Sequence, residues 1–371
     1  MGHQVTILCG SGNFRDSMPL FSLYKRYDYA GIQVVRLRSR YSHFMSFGAR
    51  MAAFVHFFGL ALVLSFTFTK PDVVYASSTP LSVGALGIWF KKRFNARLFF
   101  ETVDLWPDVP IEMGFIRGKR IKKMLYKLED RLYREAEKVV CLSEGMKEKI
   151  LAKGVEEGKI LVAHNGSNPT VFYPSQEKAK LKHAFGFHEQ DFVVLYAGTV
   201  GFANQLEFFL DVASWFQSNQ NDQVKFLLIG NGNRAEQVKQ YQHSLQLKNT
   251  IWLEMVPKEK VVKYFQMADV GMVVFAPFPV LETNSANKFF DYLACGLPVL
   301  INYAGWQKEY LDEYGCGFSE PSVQGMAERI DALAASPAVC LLLGEKAREL
   351  ACAKFDRKQI AKRLEQEFSD T

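Results

Sequence analysis

The sequence predicts an α/β protein of two doubly wound domains, on three observations. Short β-branched or aromatic runs alternate with helical stretches along nearly the whole chain. Most of their residues are apolar in continuous stretches, as parallel strands covered on both faces require. The alternation then starts afresh after Pro174. A length of 371 residues suits two domains, expected at 1–172 and 173–354 with the join near 166–190. In such sheets ligand binds outside the carboxyl ends of the strands, so a central cleft faced by both sets is the expected site.

The first series places strands at 4–9, 33–37, 72–76, 97–101, 138–142 and 159–163. Helices are expected near 16–28, 50–68, 80–94, 118–136 and 143–153. Gly10-Ser11-Gly12-Asn13 follows the first strand, where glycine lets a ligand or the opposing domain approach backbone N–H groups. Arg15 stands where a dinucleotide fingerprint has its third glycine, and a tight turn explains the stretch equally well. Residues 51–69 hold no Lys, Arg, Asp or Glu over nineteen positions. Three readings stay open for them: a buried helix, a helix dipping into a membrane interface, and a true span. A span would separate the first two strands from the sheet they belong to.

Glu101-Thr102-Val103-Asp104-Leu105-Trp106-Pro107-Asp108 leaves the fourth strand towards the cleft. Asp104 could orient a sugar hydroxyl while Trp106 stacks on an apolar sugar face; a loop pinned by Trp-Pro is the alternative. Asn165-Gly166 marks a polar turn ending the first domain.

The second series has strands at 192–197, 225–229, 250–253, 271–275 and 298–301. Gly198-Thr199-Val200-Gly201 follows its first strand, so its amides are placed to face a diphosphate. Gly230-Asn231-Gly232-Asn233-Arg234 repeats that arrangement one strand later, with Arg234 a candidate phosphate cation or an ordinary surface residue. Residues 282–300 read as loop, short helix and buried strand. Asn284 or Ser285 is the expected N-cap, and Gly296 with Pro298 ends the helix. An open helix start with Lys288 in its first turn is an anion site. Asn287 and Asp291 share one face, which suits a nucleotide: phosphates at the helix start, and Asp291 accepting from a ribose diol. An amphipathic helix with an ordinary Lys and Asp is the competing reading.

Composition, 49% hydrophobic and 23% charged, is that of a soluble globular protein. Six scattered cysteines without a C-x-x-C pair point to buried free thiols. The first residues lack the basic start and cleavage site of a signal peptide, so a cytoplasmic location is expected. Residues 1–130 carry 18 Lys/Arg against 9 Asp/Glu, and the remainder 27 against 30. A basic front half suits a membrane, a lipid phosphate or nucleic acid; a solvated helix face is the alternative. No His/Cys/Asp/Glu set has metal-ligand spacing and no Gly-x-Ser-x-Gly elbow occurs, which argues against metal-dependent and serine hydrolases.

In order and spacing, several stretches together resemble the family-4 retaining glycosyltransferases of the GT-B fold. They are Pro71 through Pro80, Asp104-Leu105-Trp106-Pro107, Leu142-Ser143-Glu144-Gly145-Met146, Asn165-Gly166, Tyr196-Ala197-Gly198-Thr199, and Asn287 through Val299. The nearest subgroup is the bacterial fucosamine-transferase type, which builds lipid-linked surface polysaccharides. The resemblance implies a nucleotide-sugar site in the C-terminal domain, an acceptor site in the N-terminal one, and a last helix (355–371) completing the first domain. It puts Asp291 at the ribose and Asn287 and Lys288 at the diphosphate. The chain departs from the family where Thr283, not an acid, stands eight positions before Asp291. Either Glu282 takes that part with a shifted loop, or the part is missing. Asn168 replaces the Asp of the usual Asn-Gly-x-Asp, and the basic pair that often follows the turn at 198–201 is absent.

The expected reaction is transfer of a sugar from a nucleotide diphosphate sugar, UDP-linked, to a polyprenyl-diphosphate-linked saccharide. Catalytic parts fall to Asp104, Lys288 and Glu282. Donor binding falls to Gly198, Thr199, Gly230, Arg234, Ser285, Asn287, Lys288 and Asp291, and the acceptor side to Gly12, Asn13, Asp104 and Trp106. No metal or cofactor and no nucleic acid is expected. The apolar 51–69 helix and the basic 91–127 region would hold the enzyme peripherally on the inner face of the cell membrane. A nucleotide-sugar epimerase of the same fold and a non-catalytic peripheral membrane adaptor are the alternatives.

Overall fold

The computed structural model describes residues 2–12, 22–39, 41–42 and 45–369. By contacts the chain forms two compact units: residues up to Val140 with Val155–Leu161, and Cys141–Gly154 with the chain from Val162 onward. The sequence-based division instead fell at 172 and gave the last helix to the first domain.

The first unit runs β1 (Thr6–Cys9), β2 (Tyr24–Tyr29), β3 (Ile32–Leu37), α1 (Phe47–Leu64), β4 (Val73–Ser77), α2 (Leu81–Phe94), β5 (Arg97–Thr102), α3 (Asp108–Glu112), α4 (Lys119–Glu135) and β6 (Lys138–Cys141). After α5 (Glu144–Leu151), which counts with the second unit, β7 (Ile160–Val162) completes the strands. One sheet has the order β1-β3-β2 and the other β4-β5-β6-β7.

Residues 24–28, expected within a helix at 16–28, instead form with Tyr29 a strand antiparallel to β3. Tyr29 pairs with Ile32 across a two-residue turn in which Ala30 and Gly31 both have positive φ, 54° and 81°. That backbone joins antiparallel strands without splaying them, and the three tyrosines of β2 favour a pleated surface. The turn geometry overrides the helical pattern.

α1 starts at Ser46, whose hydroxyl accepts from the Ala49 N–H. Its Ala61 and Leu64 share a core with Val35 and Leu37 of β3 and Leu86 of α2. Its other side is open: Val55 is 71% exposed and Val63 64%. The buried-helix reading of 51–69 is therefore corrected, because the sheet covers only one stripe of the helix. Gly48–Thr67 is long and apolar enough to cross a membrane, with mean hydropathy 1.7 and 17% of that window buried.

α2 ends on Asn95 in the left-handed region, with Lys91, Lys92 and Arg93 facing the negative end of the helix. α4 buries Glu129, Leu132 and Tyr133. It exposes Ile121 and Met124 among Lys119, Arg120, Lys123 and Lys127.

The second unit continues with α6 (Lys178–Ala184), β8 (Phe192–Ala197), α7 (Leu206–Ser218), β9 (Val224–Ile229), α8 (Ala235–Ser244), β10 (Thr250–Leu253), α9 (Lys258–Met267) and β11 (Val270–Val273). There follow α10 (Asn287–Ala294), β12 (Val299–Ile301), α11 (Trp306–Tyr314), β13 (Gly317–Ser319), α12 (Val323–Ala334), α13 (Pro337–Lys354) and α14 (Arg357–Ser369). The sheet order is β10-β9-β8-β11-β12-β13, with every neighbouring pair parallel. Counted within this unit, that is the doubly wound order 3-2-1-4-5-6, whose switch point lies between β8 and β11. The five strands expected here are found, and β13, three residues long, was not foreseen.

Tyr292 of α10 ties that switch point together. Its fully buried ring packs where a Cβ on Gly271 of β11 would stand, and its hydroxyl accepts the Ala197 N–H of β8 at 2.8 Å. Replacing Gly271 by Ala should cost about 1–3 kcal/mol through overpacking. A lowered urea midpoint with an unchanged denaturant slope would show it.

Candidate functional site

The site grows from the end of β8. Tyr196 and Gly198 are two apart, so both face one side of the strand line. Tyr196 is fully buried, and its hydroxyl donates to the Thr199 carbonyl at 2.8 Å. Gly198 has φ +152°, and a Cβ there would lie 2.6 Å from Lys288 Nζ. The missing side chain is the room in which the ammonium sits. Lys288 Nζ stands 3.6 Å from the centre of the Tyr196 ring, a cation–π contact. Nζ is inaccessible to solvent and has no hydrogen-bond partner among the described residues. Burial pushes its pKa well below the usual lysine value.

Gly230 and Gly232 of the next turn press backbone against backbone on the Gly198–Val200 turn. A Cβ at Gly230 would overlap the Gly198 carbonyl, and one at Gly232 the Val200 carbonyl. The Gly198 N–H donates to the Ile229 carbonyl and the Val200 N–H to that of Asn231. Gly230 thus shapes the turn from behind. Arg234, the candidate phosphate cation, is already engaged: its guanidinium pairs with Glu207 at 2.6 Å and lies over the Phe202 ring.

α10 supplies the opposite wall. Neither Asn284 nor Ser285 caps it, contrary to expectation. The N-cap is Ala286, one residue further on, and no side chain bonds to the free N–H groups of the first turn. Two more buried polar atoms without a partner among the described residues stand just before the helix, Asn284 Oδ1 and Ser285 Oγ. An open helix start, a buried ammonium and two buried neutral groups without a partner among the described residues thus fall within residues 284–288. The positive helix end and the ammonium both favour an anion. Asn287 is exposed at the first helical position, and Thr199 is exposed on the facing turn.

Asp291 and Lys288 are turned apart. Lys288 reaches Gly198, whereas Asp291 Oδ1 accepts from the buried Ser167 hydroxyl at 2.6 Å. Ser167 was not foreseen as part of the site. Its signal was position alone, two residues after Asn165. Asn165 Nδ2 donates to the Ser285 carbonyl at 2.7 Å, so the Asn165-Gly166-Ser167 turn clamps α10 at its start and one turn in. Gly166 has φ +60°, and a Cβ there would lie 2.6 Å from the Phe355 carbonyl. Ser143 adds a third pin: its hydroxyl donates to the Thr283 carbonyl at 2.6 Å and accepts from the Met146 N–H that opens α5.

Thr283 is buried, and its hydroxyl is spent on the Val280 carbonyl at 2.7 Å. Glu282, beside it in a 3₁₀ turn (Pro279–Thr283), is half-buried. Its carbonyl lies 2.7 Å from where a Gly305 Cβ would be.

The acceptor-side residues belong to the first unit. Asp104 lies just past β5 with the Thr79 hydroxyl 3.4 Å away, and burial raises its pKa. The Trp106 N–H donates to the Asp104 carbonyl, which makes the turn. A Cβ on Gly12 would overlap the Tyr41 carbonyl, so glycine there is required by packing. Asn13 lies outside the described residues.

Residues 1–166 match a family model described as a glycosyl transferase 4-like domain, and residues 177–350 one described as glycosyl transferases group 1. Over 225 residues the chain is 23% identical to a putative teichuronic acid biosynthesis glycosyltransferase of Bacillus subtilis, a match covering 59% of this chain and 54% of that one. The chain therefore spans about half the length of that relative. Among solved structures, sucrose-phosphate synthase of Thermosynechococcus elongatus is 16% identical with a TM-score of 0.78, covering 99% of this chain and 89% of that one. HepE of Anabaena, solved in complex with UDP, is 16% identical with a TM-score of 0.70, covering 88% and 91%. WaaG, a glycosyltransferase involved in lipopolysaccharide biosynthesis, is 12% identical with a TM-score of 0.70, covering 98% and 90%. These likenesses identify the fold as GT-B.

The buried Lys288 sets a testable stability signature. Its folded pKa lies below the unfolded value of 10.5, so between the two the unfolded chain binds more protons and stability rises with pH. Lys288→Met should stabilise the unliganded protein at pH 7 by on the order of 1–3 kcal/mol. Denaturant titrations at pH 7 and pH 9 should show the gap between variant and wild type narrowing at the higher pH.

Proposed function

The chain belongs to the glycosyltransferases in which a glycosyl transferase 4-like domain precedes a group 1 domain, and from that premise we propose that it transfers a sugar from a UDP-sugar to a polyprenyl-diphosphate-linked saccharide in bacterial surface-glycan synthesis. One observation carries this reading: the buried, unpartnered ammonium of Lys288 beside an uncapped helix start. A folded protein keeps such a charge unpaired when an anionic ligand supplies the partner. A diphosphate is an anion of suitable size and charge. HepE, of the same fold, is described in complex with UDP and with UDP-glucose, which supports uridine as the base. The resemblance to the fucosamine-transferase type supports an N-acetylated amino or deoxyamino sugar.

The reaction retains anomeric configuration by front-face displacement. The acceptor hydroxyl forms its bond to the anomeric carbon on the face the diphosphate leaves, and its proton passes to the departing phosphate oxygen. Lys288 and the first-turn N–H groups of α10 stabilise the charge that grows there. Asp104 orients the acceptor or steadies the positive sugar ring. Its raised pKa means that this carboxylate ionises only at higher pH than an ordinary aspartate.

The first unit holds the enzyme on the inner face of the membrane. The open side of α1 supplies apolar surface, and α4 supplies Lys119, Arg120, Lys123 and Lys127 around exposed Ile121 and Met124.

Four outcomes are expected. UDP affinity, measured by calorimetry, should weaken as pH rises from 7 to 9, because the ammonium that grips the diphosphate titrates below the ordinary lysine range. Lys288→Met should lower kcat by about 10²–10³-fold with extracted lipid-linked acceptor; normal turnover would remove Lys288 from the mechanism. Release of UDP only when acceptor is present would separate transfer from epimerisation. In flotation with anionic vesicles, Val55→Asp with Val63→Asp should lower membrane binding while leaving UDP binding intact.

A further inference from the structure

We propose that Asn284 and Ser285 form the subsite for the donor's sugar and that together they read an acetamido group on it. The inference rests on the donor reading above. Three side-chain atoms before and in the first turn of α10 are buried without partners among the described residues: Asn284 Oδ1, Ser285 Oγ and Lys288 Nζ. The ammonium suits a phosphate oxygen. The amide oxygen does not, since two acceptors would face each other, so Asn284 calls for a hydrogen-bond donor on the ligand. The Ser285 hydroxyl can give a proton as well as accept one. One acceptor beside one donor complements a secondary amide, which offers an N–H and a carbonyl.

The backbone around this pair is already committed. The Asn284 carbonyl accepts from Trp306 Nε1 at 3.2 Å and the Ser285 carbonyl from Asn165 Nδ2 at 2.7 Å. The chain is therefore fixed at both residues, and the side chains are what remains to meet a ligand. Thr283, one step earlier, has no hydroxyl to spare, and Ala286, one step later, has no polar group. The sugar of a nucleotide sugar is bonded to the outer phosphate, so its subsite must adjoin the diphosphate site. Asn284 and Ser285 precede Asn287, the first helical residue, by three and two residues. Neither carries charge, so a sugar bearing a carboxylate would meet the Asn284 oxygen unfavourably.

The test is calorimetry on the full chain with UDP, UDP-N-acetylglucosamine, UDP-N-acetylgalactosamine, UDP-glucose and UDP-galactose. The wild-type protein should bind the acetamido member of at least one epimeric pair about tenfold or more tightly than its hydroxyl counterpart, as a site built to hydrogen-bond a group rejects the analogue lacking it. Asn284→Leu should bring that pair within about twofold while changing UDP affinity less than about twofold, and Ser285→Ala should cut the preference in part. Equal or tighter binding of the hydroxyl donors by the wild type would overturn the inference. So would an undiminished preference in Ser285→Ala, a substitution small enough to leave folding intact, together with Asn284→Leu. No UDP binding by the wild type would instead remove the donor reading itself, and this inference with it.

Discussion

Burial of the Lys288 ammonium between the Tyr196 ring and the Gly198 backbone is the constraint on which the rest of the second unit turns. It explains why the residue after β8 is glycine, because any side chain there would occupy the space of Nζ. It explains why Tyr196 points the same way two residues earlier, offering a π-face instead of a counter-ion. It also explains why α10 must hold a fixed height against the sheet. Tyr292, one turn after Lys288, takes the place of a side chain on Gly271 and hydrogen-bonds the end of β8. Two glycines and two tyrosines thus serve one lysine.

A charge held in this way is costly to the unliganded fold, and the surroundings resist its relaxation. Ser143 grips the Thr283 carbonyl, Asn165 grips that of Ser285, and Ser167 grips Asp291. These pins come from sequence positions more than a hundred residues away from their targets, and they make short polar stretches such as Leu142–Met146 and Asn165–Ser167 meaningful. Strain of this sort is tolerated where it prepares a binding site. Pre-set donors need no reorganisation when negative charge arrives.

The first unit follows a different logic. Its sheets and α2 bury one stripe of α1 and leave the opposite apolar side open. α4 likewise keeps one buried stripe and an outer face where lysines and arginines surround Ile121 and Met124. Basic residues around apolar ones are better matched to an anionic, partly apolar interface than to water alone. Burial disfavours the charge of Asp104, just past β5, and the Thr79 hydroxyl offsets this only in part. Asp104 is placed by the turn that its own carbonyl closes with the Trp106 N–H.

What the sequence determined by itself was periodic or local. The apolar strands of both sheets, the alternation with helices and the helix at 287–294 follow from patterns whose cause lies within a few residues. Lys288 at an open helix start was legible for the same reason. The strand at 24–29 departs from the helical reading because the turn at Ala30-Gly31, whose backbone the helical spacing does not reveal, sets its course. Only the tertiary structure decided which way Lys288 and Asp291 point, since that depends on Gly198, Tyr196 and Ser167, which are distant in sequence. Tertiary contacts likewise left Asn284 and Ser285 without the capping role they were expected to fill and committed Arg234 to Glu207. Spacing fixes the face of a helix on which a side chain stands; what it meets there is set by the packing of the whole chain.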